Sequence, residues 1–167
     1  MAYQMKVDGM AEISETLSKL EQEAPKVAAR ALYKGAGIMA EEINKSAGQI
    51  RTAPFQYARD GRSRLPSPEE KAIVMSAAAG IAKFDKNGTE VNTSVGFRNS
   101  GYAQLGNKVK PIPQIVNAIN SGTSFMTKQP FVRKAASSGG KKAMEAMKEA
   151  IEAEFSAMNK DNGGNKT

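Results

Sequence analysis

The sequence predicts an α+β domain, a small antiparallel sheet packed by two long helices and a C-terminal helix. Three observations lead there. Apolar residues recur at helical spacing near the start (Met10, Ile13, Leu17, Leu20) and near the end (Met144, Met147, Ile151, Phe155, Met158). Between them "TEVNTSVGF" (Thr89–Phe97) alternates, placing Val91, Thr93, Val95 and Phe97 on one face of a strand. Just ahead of it, "DKNG" (Asp85–Gly88) is turn-forming, and Asn87-Gly88 suits a hairpin. A chain of 167 residues makes one such domain, over 1–158, and the polar, glycine-rich 159–167 reads as a disordered tail.

In chain order, "YQMKV" (Tyr3–Val7) alternates in part and suits a short strand, with Asp8 as N-cap of the helix that begins at Met10. Pro25 is expected to open a second helix, since a first-turn proline costs little. Its apolar positions include Val27, Ala31, Ile38 and Ile43, and it fades near Gly48. Gly35 and Gly37 inside it each weaken a helix by about 1 kcal/mol, which points to close helix–helix packing. Residues 50–67 read as a loop broken by Pro54, Gly61 and Pro66. Arg51, Arg59, Arg62 and Arg64 sit there with Phe55 and Tyr57, a mixture compatible with nucleic-acid contact but read first as a solvated or subunit-contacting loop.

Ser67-Pro68-Glu69-Glu70 has capping-box spacing and opens a third helix through "EEKAIVMSAAAGIAKF". The strand at Thr89–Phe97 is expected to pair with Ile81–Phe84 or with the N-terminal strand. "NSGYAQLGNKVKPIPQ" reads as loop, and "QIVNAINSG" is ambiguous between strand and helical turn. Pro130-Phe131 can start a helix, and "SSGG" (137–140) is expected to break that region into a short turn and a long final helix.

The residue inventory excludes much chemistry. With no Cys and no His, the chain lacks thiol nucleophiles, disulfides, thiolate or imidazole metal sites and the usual general base. The carboxylate pairs Glu41-Glu42, Glu69-Glu70 and Glu152/Glu154 diverge on a helix and do not converge on a substrate. No phosphate-loop pattern occurs, and Ser67, Ser94 and Ser121 have no His partner. The methionine stripe of the last helix reads as core or interface. The expectation is a non-enzyme with no cofactor and no metal. No run approaches the roughly 20 apolar residues of a membrane span, and the N-terminus does not read as a signal peptide.

Charge is uneven. Residues 91–144 carry 8 basic and no acidic groups, against a formal net charge of +7 for the whole chain. An acid-free run of 54 residues implies a surface that faces an anionic partner, either nucleic acid or an acidic protein.

Taken together, these segments resemble short phage tail-component proteins, the tail-completion, neck or head–tail joining family. The resemblance is carried, in order, by Gly9, Leu17–Leu20, the helix Val27–Ile43, Arg51-Thr52, Gly122-Thr123, Gln129-Pro130-Phe131-Val132-Arg133-Lys134-Ala135 and the helix Met144–Met158. It spans roughly residues 3–158 and is sharpest from Gly122 to Ala135. The sequence departs from the family pattern where "QLGNKVKPIPQIVNAINS" lengthens the stretch from Tyr102-Ala103 to Gly122, where Asn120-Ser121 replaces an acid, and where the loop after the second helix lacks Thr-Gly-x-Leu.

The resemblance implies a tail-completion-like α+β fold. It also implies a homo-oligomeric ring, expected as a hexamer, between the tail tube and the head-closure or terminator proteins. The protein would then sit in the virion tail or neck, after assembly in the host cytoplasm. Loops 50–66 and 98–114 would make the ring contacts, with Arg51, Arg59, Arg62, Arg64, Arg98, Lys108 and Lys110 facing neighbouring subunits or DNA in the lumen. Gly122, Thr123, Pro130, Phe131 and Arg133 would form a structural joint: Gly122 for a positive-φ turn, Pro130 to start the last helix, Phe131 to anchor it on the sheet, and Arg133 with Lys134 outward. The rival readings are a tail terminator capping the tube, a DNA-binding protein without sequence specificity, and an enzyme of unknown type.

Overall fold

The computed structural model describes residues 10–54, 63–81, 85–87, 90–97 and 101–163. The expected strand Tyr3–Val7, its cap Asp8, and Gly9 lie outside them. The fold is α+β. Helix α1 (Met10–Gly48) is followed by α2 (Pro68–Ala77), six short strands, α3 (Ile112–Ser121) and α4 (Phe131–Gly163).

The frame is a pair of long helices running antiparallel. Arg30 of α1 meets Glu154 of α4, Gly35 lies against Met147, and Glu42 meets Gly139 and Lys142. The seam between them is built from small residues. Val27, Ala31, Ala36, Ala40, Ile43 and Ala47 line the buried face of α1, and Phe131, Ala135, Ala143 and Ala146 that of α4. A Cβ on Gly35 would stand 2.7 Å from Met147 Cγ and Sδ. One on Gly139 would stand 2.9 Å from Glu42 Cγ. At both positions a Cβ would push a side chain of the opposing helix aside.

That seam corrects three expectations. Pro25 does not begin a second helix; it lies inside the 39-residue α1. A proline forfeits one backbone hydrogen bond, but its fixed φ is helical and good helix formers flank it. "SSGG" does not break α4, which runs through it for 33 residues. Packing against α1 offsets the weak propensity there, as it does for most helices in proteins. The helix also continues to Gly163, into the segment expected to be disordered. The methionine stripe, read as core or interface, divides: Met147 is half-buried against Gly35, whereas Met144 and Phe155 are exposed and Ala143 and Ala146 are buried.

At one end of this pair a mixed core gathers. Ile43, Ala47 and Ile50 meet Val74 and Ala77 of α2, Ile112, Ile115, Val116 and Ile119 of α3, Met126, and Phe131 with Ala135. Helix α2 has the capping box its sequence announces: Ser67 Oγ accepts from Glu70 N, and the Ser67 N–H donates to the Glu70 carboxylate. It is shorter than expected. Ala78 takes φ +41° and turns the chain into strand β1 (Ala79–Ile81). Asn44 holds that turn in place, its side chain bonding both the N–H and the carbonyl of Ala79 at 2.7 and 3.1 Å.

Among the described residues the strands form three separate antiparallel ladders of two strands each. β1 pairs with β4 (Val95–Phe97), with Gly80 opposite Gly96. β2 (Asp85–Asn87) pairs with β3 (Glu90–Asn92), with Asn87 opposite Glu90, so Asn87 belongs to the ladder, and Gly88 of the expected Asn87-Gly88 turn lies outside the described residues. The single strand expected over Thr89–Phe97 is thus two strands serving different partners. β5 (Tyr102–Leu105) and β6 (Lys108–Pro111) form a hairpin over a stretch expected to be loop. Gly106, with φ +56°, makes its turn. Pro111 ends β6 and caps α3, which settles the ambiguity of "QIVNAINSG" as a helix.

Candidate functional site

The segment from Gly122 to Phe131 connects α3 to α4, and each of its distinctive residues has a physical task. Gly122 sits at φ +78°, and a Cβ there would stand 3.0–3.1 Å from Lys128 backbone and Cβ atoms. Both the conformation and the space demand glycine. The Thr123 hydroxyl accepts from the N–H of Phe125 and of Met126, closing the turn. Gln129 uses its whole amide on Arg51: it accepts from the Arg51 N–H at 2.9 Å and donates to the Arg51 carbonyl at 2.7 Å. Its own N–H donates to the Ile119 carbonyl. Pro130 then leads into Phe131, which is 2% exposed and stands edge-on to Phe97 of β4 at 6.1 Å between ring centroids. The start of α4 is pinned to the strand layer by that contact.

The same segment grips the chain ahead of α2. Arg64 N donates to the Phe125 carbonyl, and Thr127 N donates to the Arg64 carbonyl. The guanidinium of Arg64 turns inward and bonds both oxygens of Glu70 at 2.6 Å, while Nη1 also reaches the Leu65 carbonyl. Burial pushes the Glu70 carboxyl up, but the hydrogen bonds from Arg64 and from the Ser67 N–H, with the charges of Arg64 and Lys110, outweigh it and hold the group below the ordinary carboxylate range. The hydrogen bond to Glu70 raises Arg64 in turn, against the opposing effect of burial. Glu70 is thus a fixed anion, unfit for proton transfer near neutrality. Arg64 is a structural cation rather than the outward contact expected of it.

The other expected contacts are scattered. Arg51 is exposed at its side chain, although Gln129 fixes its backbone. Lys108 and Lys110 are exposed on β6 and border an open cleft of ≈ 580 Å³ between the β5–β6 hairpin and the start of α2, with Arg64 and Glu70 in its wall. Arg59, Arg62 and Arg98 lie outside the described residues. No family model, curated protein or solved structure matches the chain.

Among the described residues no group of three or more Asp, Glu, His or Cys side chains is placed to hold a metal ion. No helix there is long and apolar enough to cross a membrane. What the surface does offer is exposed apolar side chains beside the cleft and joint. Tyr102 and Val109 are 74% and 66% exposed on the hairpin, and Phe125 is 68% exposed on the joint. Tyr102 pairs with Pro111, and Gln104 with Val109, so Tyr102 and Val109 stand on one face of the hairpin. Sequence reasoning missed this face because the two prolines of "KPIPQ" hid the alternation of "YAQLGNKVK".

Proposed function

We propose that the protein is a structural component of a phage neck or tail, a ring-forming subunit that joins the tail tube to the head-closure complex. The ordered set of segments shared with tail-completion proteins motivates this reading. The observation that carries it furthest is the β5–β6 hairpin. Its outer face presents Tyr102 and Val109 to solvent, and aromatic side chains set in a polar rim are what a subunit interface buries. The joint supports the reading too, because Gln129 and Arg64 tie three distant segments together at the start of α4. A ring needs such ties: its contacts are heterologous and close only if every subunit holds the same angle.

The second reading is a tail terminator, which caps the tube and uses the same kind of surface. Electron microscopy of particles lacking this protein separates the two. Filled heads beside detached tails of normal length are expected for a joining protein. Overlong tubes would indicate a terminator, and intact infectious particles would overturn both.

A further inference from the structure

The first turns of α4 carry a strip of cations that no described side chain pairs with. Arg133, Lys134 and Lys141 are exposed, and their charged groups have no ion pair or hydrogen bond among the described residues. Lys128 lies exposed just ahead of them. Arg133, Lys134 and Ser137 edge an open depression of ≈ 460 Å³. The carboxylate of α1 that reaches this face, Glu42, is already engaged by Lys142 and Ser138, and the first carboxylate along α4 is Glu145, one turn past Lys141. From Arg133 to Lys141 the strip spans about 12 Å of helix, the rise of between three and four base steps.

The chemistry of the strip selects its ligand. Between Arg133 and Lys141 it carries no exposed aromatic or large aliphatic side chain; along the chain the nearest exposed ones are Phe125 on the joint and Met144, one turn past Lys141. A protein partner needs an apolar anchor, and a single-stranded nucleic acid needs a stacking platform. A duplex backbone needs neither, only cations at phosphate spacing and small residues between them that let it approach. We propose that the α4 strip, Arg133, Lys134 and Lys141 with Lys128, is a non-sequence-specific binding face for the phosphates of duplex DNA. This deepens the ring reading, in which DNA threads the lumen, and rests on it only for where the duplex is met.

The test is fluorescence anisotropy of the purified full chain with a labelled duplex of about 24 base pairs. Four phosphate contacts predict a log–log salt slope near −3.6, a loss of roughly a hundredfold in affinity between about 50 and 200 mM salt. The variant Arg133→Gln, Lys134→Gln, Lys141→Gln keeps good helix formers, and its fold is checked by circular dichroism. It should weaken binding at low salt more than tenfold and flatten the slope by about 2.7. Lys108→Gln with Lys110→Gln on the hairpin should leave affinity within about twofold, within the scatter of a non-contact change. No binding at low salt, an unaffected triple variant, an equal loss in the hairpin variant, or tighter binding of the single strand would each overturn the assignment. Because the assay uses free protein, failure here leaves the particle phenotype above to judge the ring reading separately.

Discussion

The two ends of the α1–α4 pair are built on different principles. At the end that holds α2, α3 and the strands, large side chains converge on a buried core, and the polar groups that enter it are fully used: Gln129 on Arg51, Asn44 on Ala79, Arg64 on Glu70. Toward the other end, α1 and α4 meet across alanine and glycine, and beyond Ala146 most described residues of α4 are exposed and the rest half-buried. The first kind of packing fixes positions through many partners. The second gains contact area by letting backbones approach, and it tolerates little change where a glycine is pressed and much where it is not.

Breaking the core end should give the largest effects. Phe131→Ala removes a side chain that is 2% exposed and its edge-on partner contact, and should cost about 3 kcal/mol in denaturant unfolding. A midpoint unchanged from the parent would mean the joint is not anchored through this ring.

Glu70→Gln should come next, at about 3 kcal/mol or somewhat less, because it leaves the Arg64 charge without its anion in a largely buried site. Its pH signature is distinctive. The folded carboxyl lies below its unfolded value of about 4.5, so the pair contributes in full above that value and loses its contribution as pH falls through the lower folded value. The parent should therefore lose stability on acidification through this window, and the variant should show a flatter acid limb in the same thermal melts.

The smallest and sharpest comparison uses neighbouring glycines. Gly139→Ala forces a Cβ to within 2.9 Å of Glu42 and should destabilise, whereas Gly140→Ala meets nothing within 4 Å and should stabilise by about 0.5–1 kcal/mol through helix propensity. If both changes stabilise, the helices are not as close at this level as the seam requires.

How far the sequence could be read follows from the same contrast. The capping box at Ser67, the turn at Gly122 and the anchor at Phe131 were legible because each is a local pattern with a local cause. The α+β class was legible from two helical periodicities and one alternating strand. The continuity of α1 through Pro25 and of α4 through Ser137–Gly140 was not, because local propensity argues against both and only the opposing helix reverses it. The inward face of α4 was only partly legible for a related reason. Hydrophobic spacing gives weight to Met144 and Phe155, but a seam of close approach selects Ala143 and Ala146. Of the cations, Arg64 could not be told from its neighbours, since its partner Glu70 comes from the next helix. The strip at Arg133, Lys134 and Lys141 showed only as an acid-free run, not as one helix face.

The pairing of α1 with α4 joins the first and last described elements, and Arg30 reaches Glu154 across 124 positions of sequence. Closing so long a loop before its contacts form slows folding. During synthesis at about 5–20 residues per second, α1 waits many seconds with its alanine and glycine groove uncovered. In that interval the groove fits the α4 of any other copy as well as its own. Exchange of α4 between chains would then be favoured on a crowded polysome, and slowing translation between α3 and α4 should raise the yield of interlocked dimers.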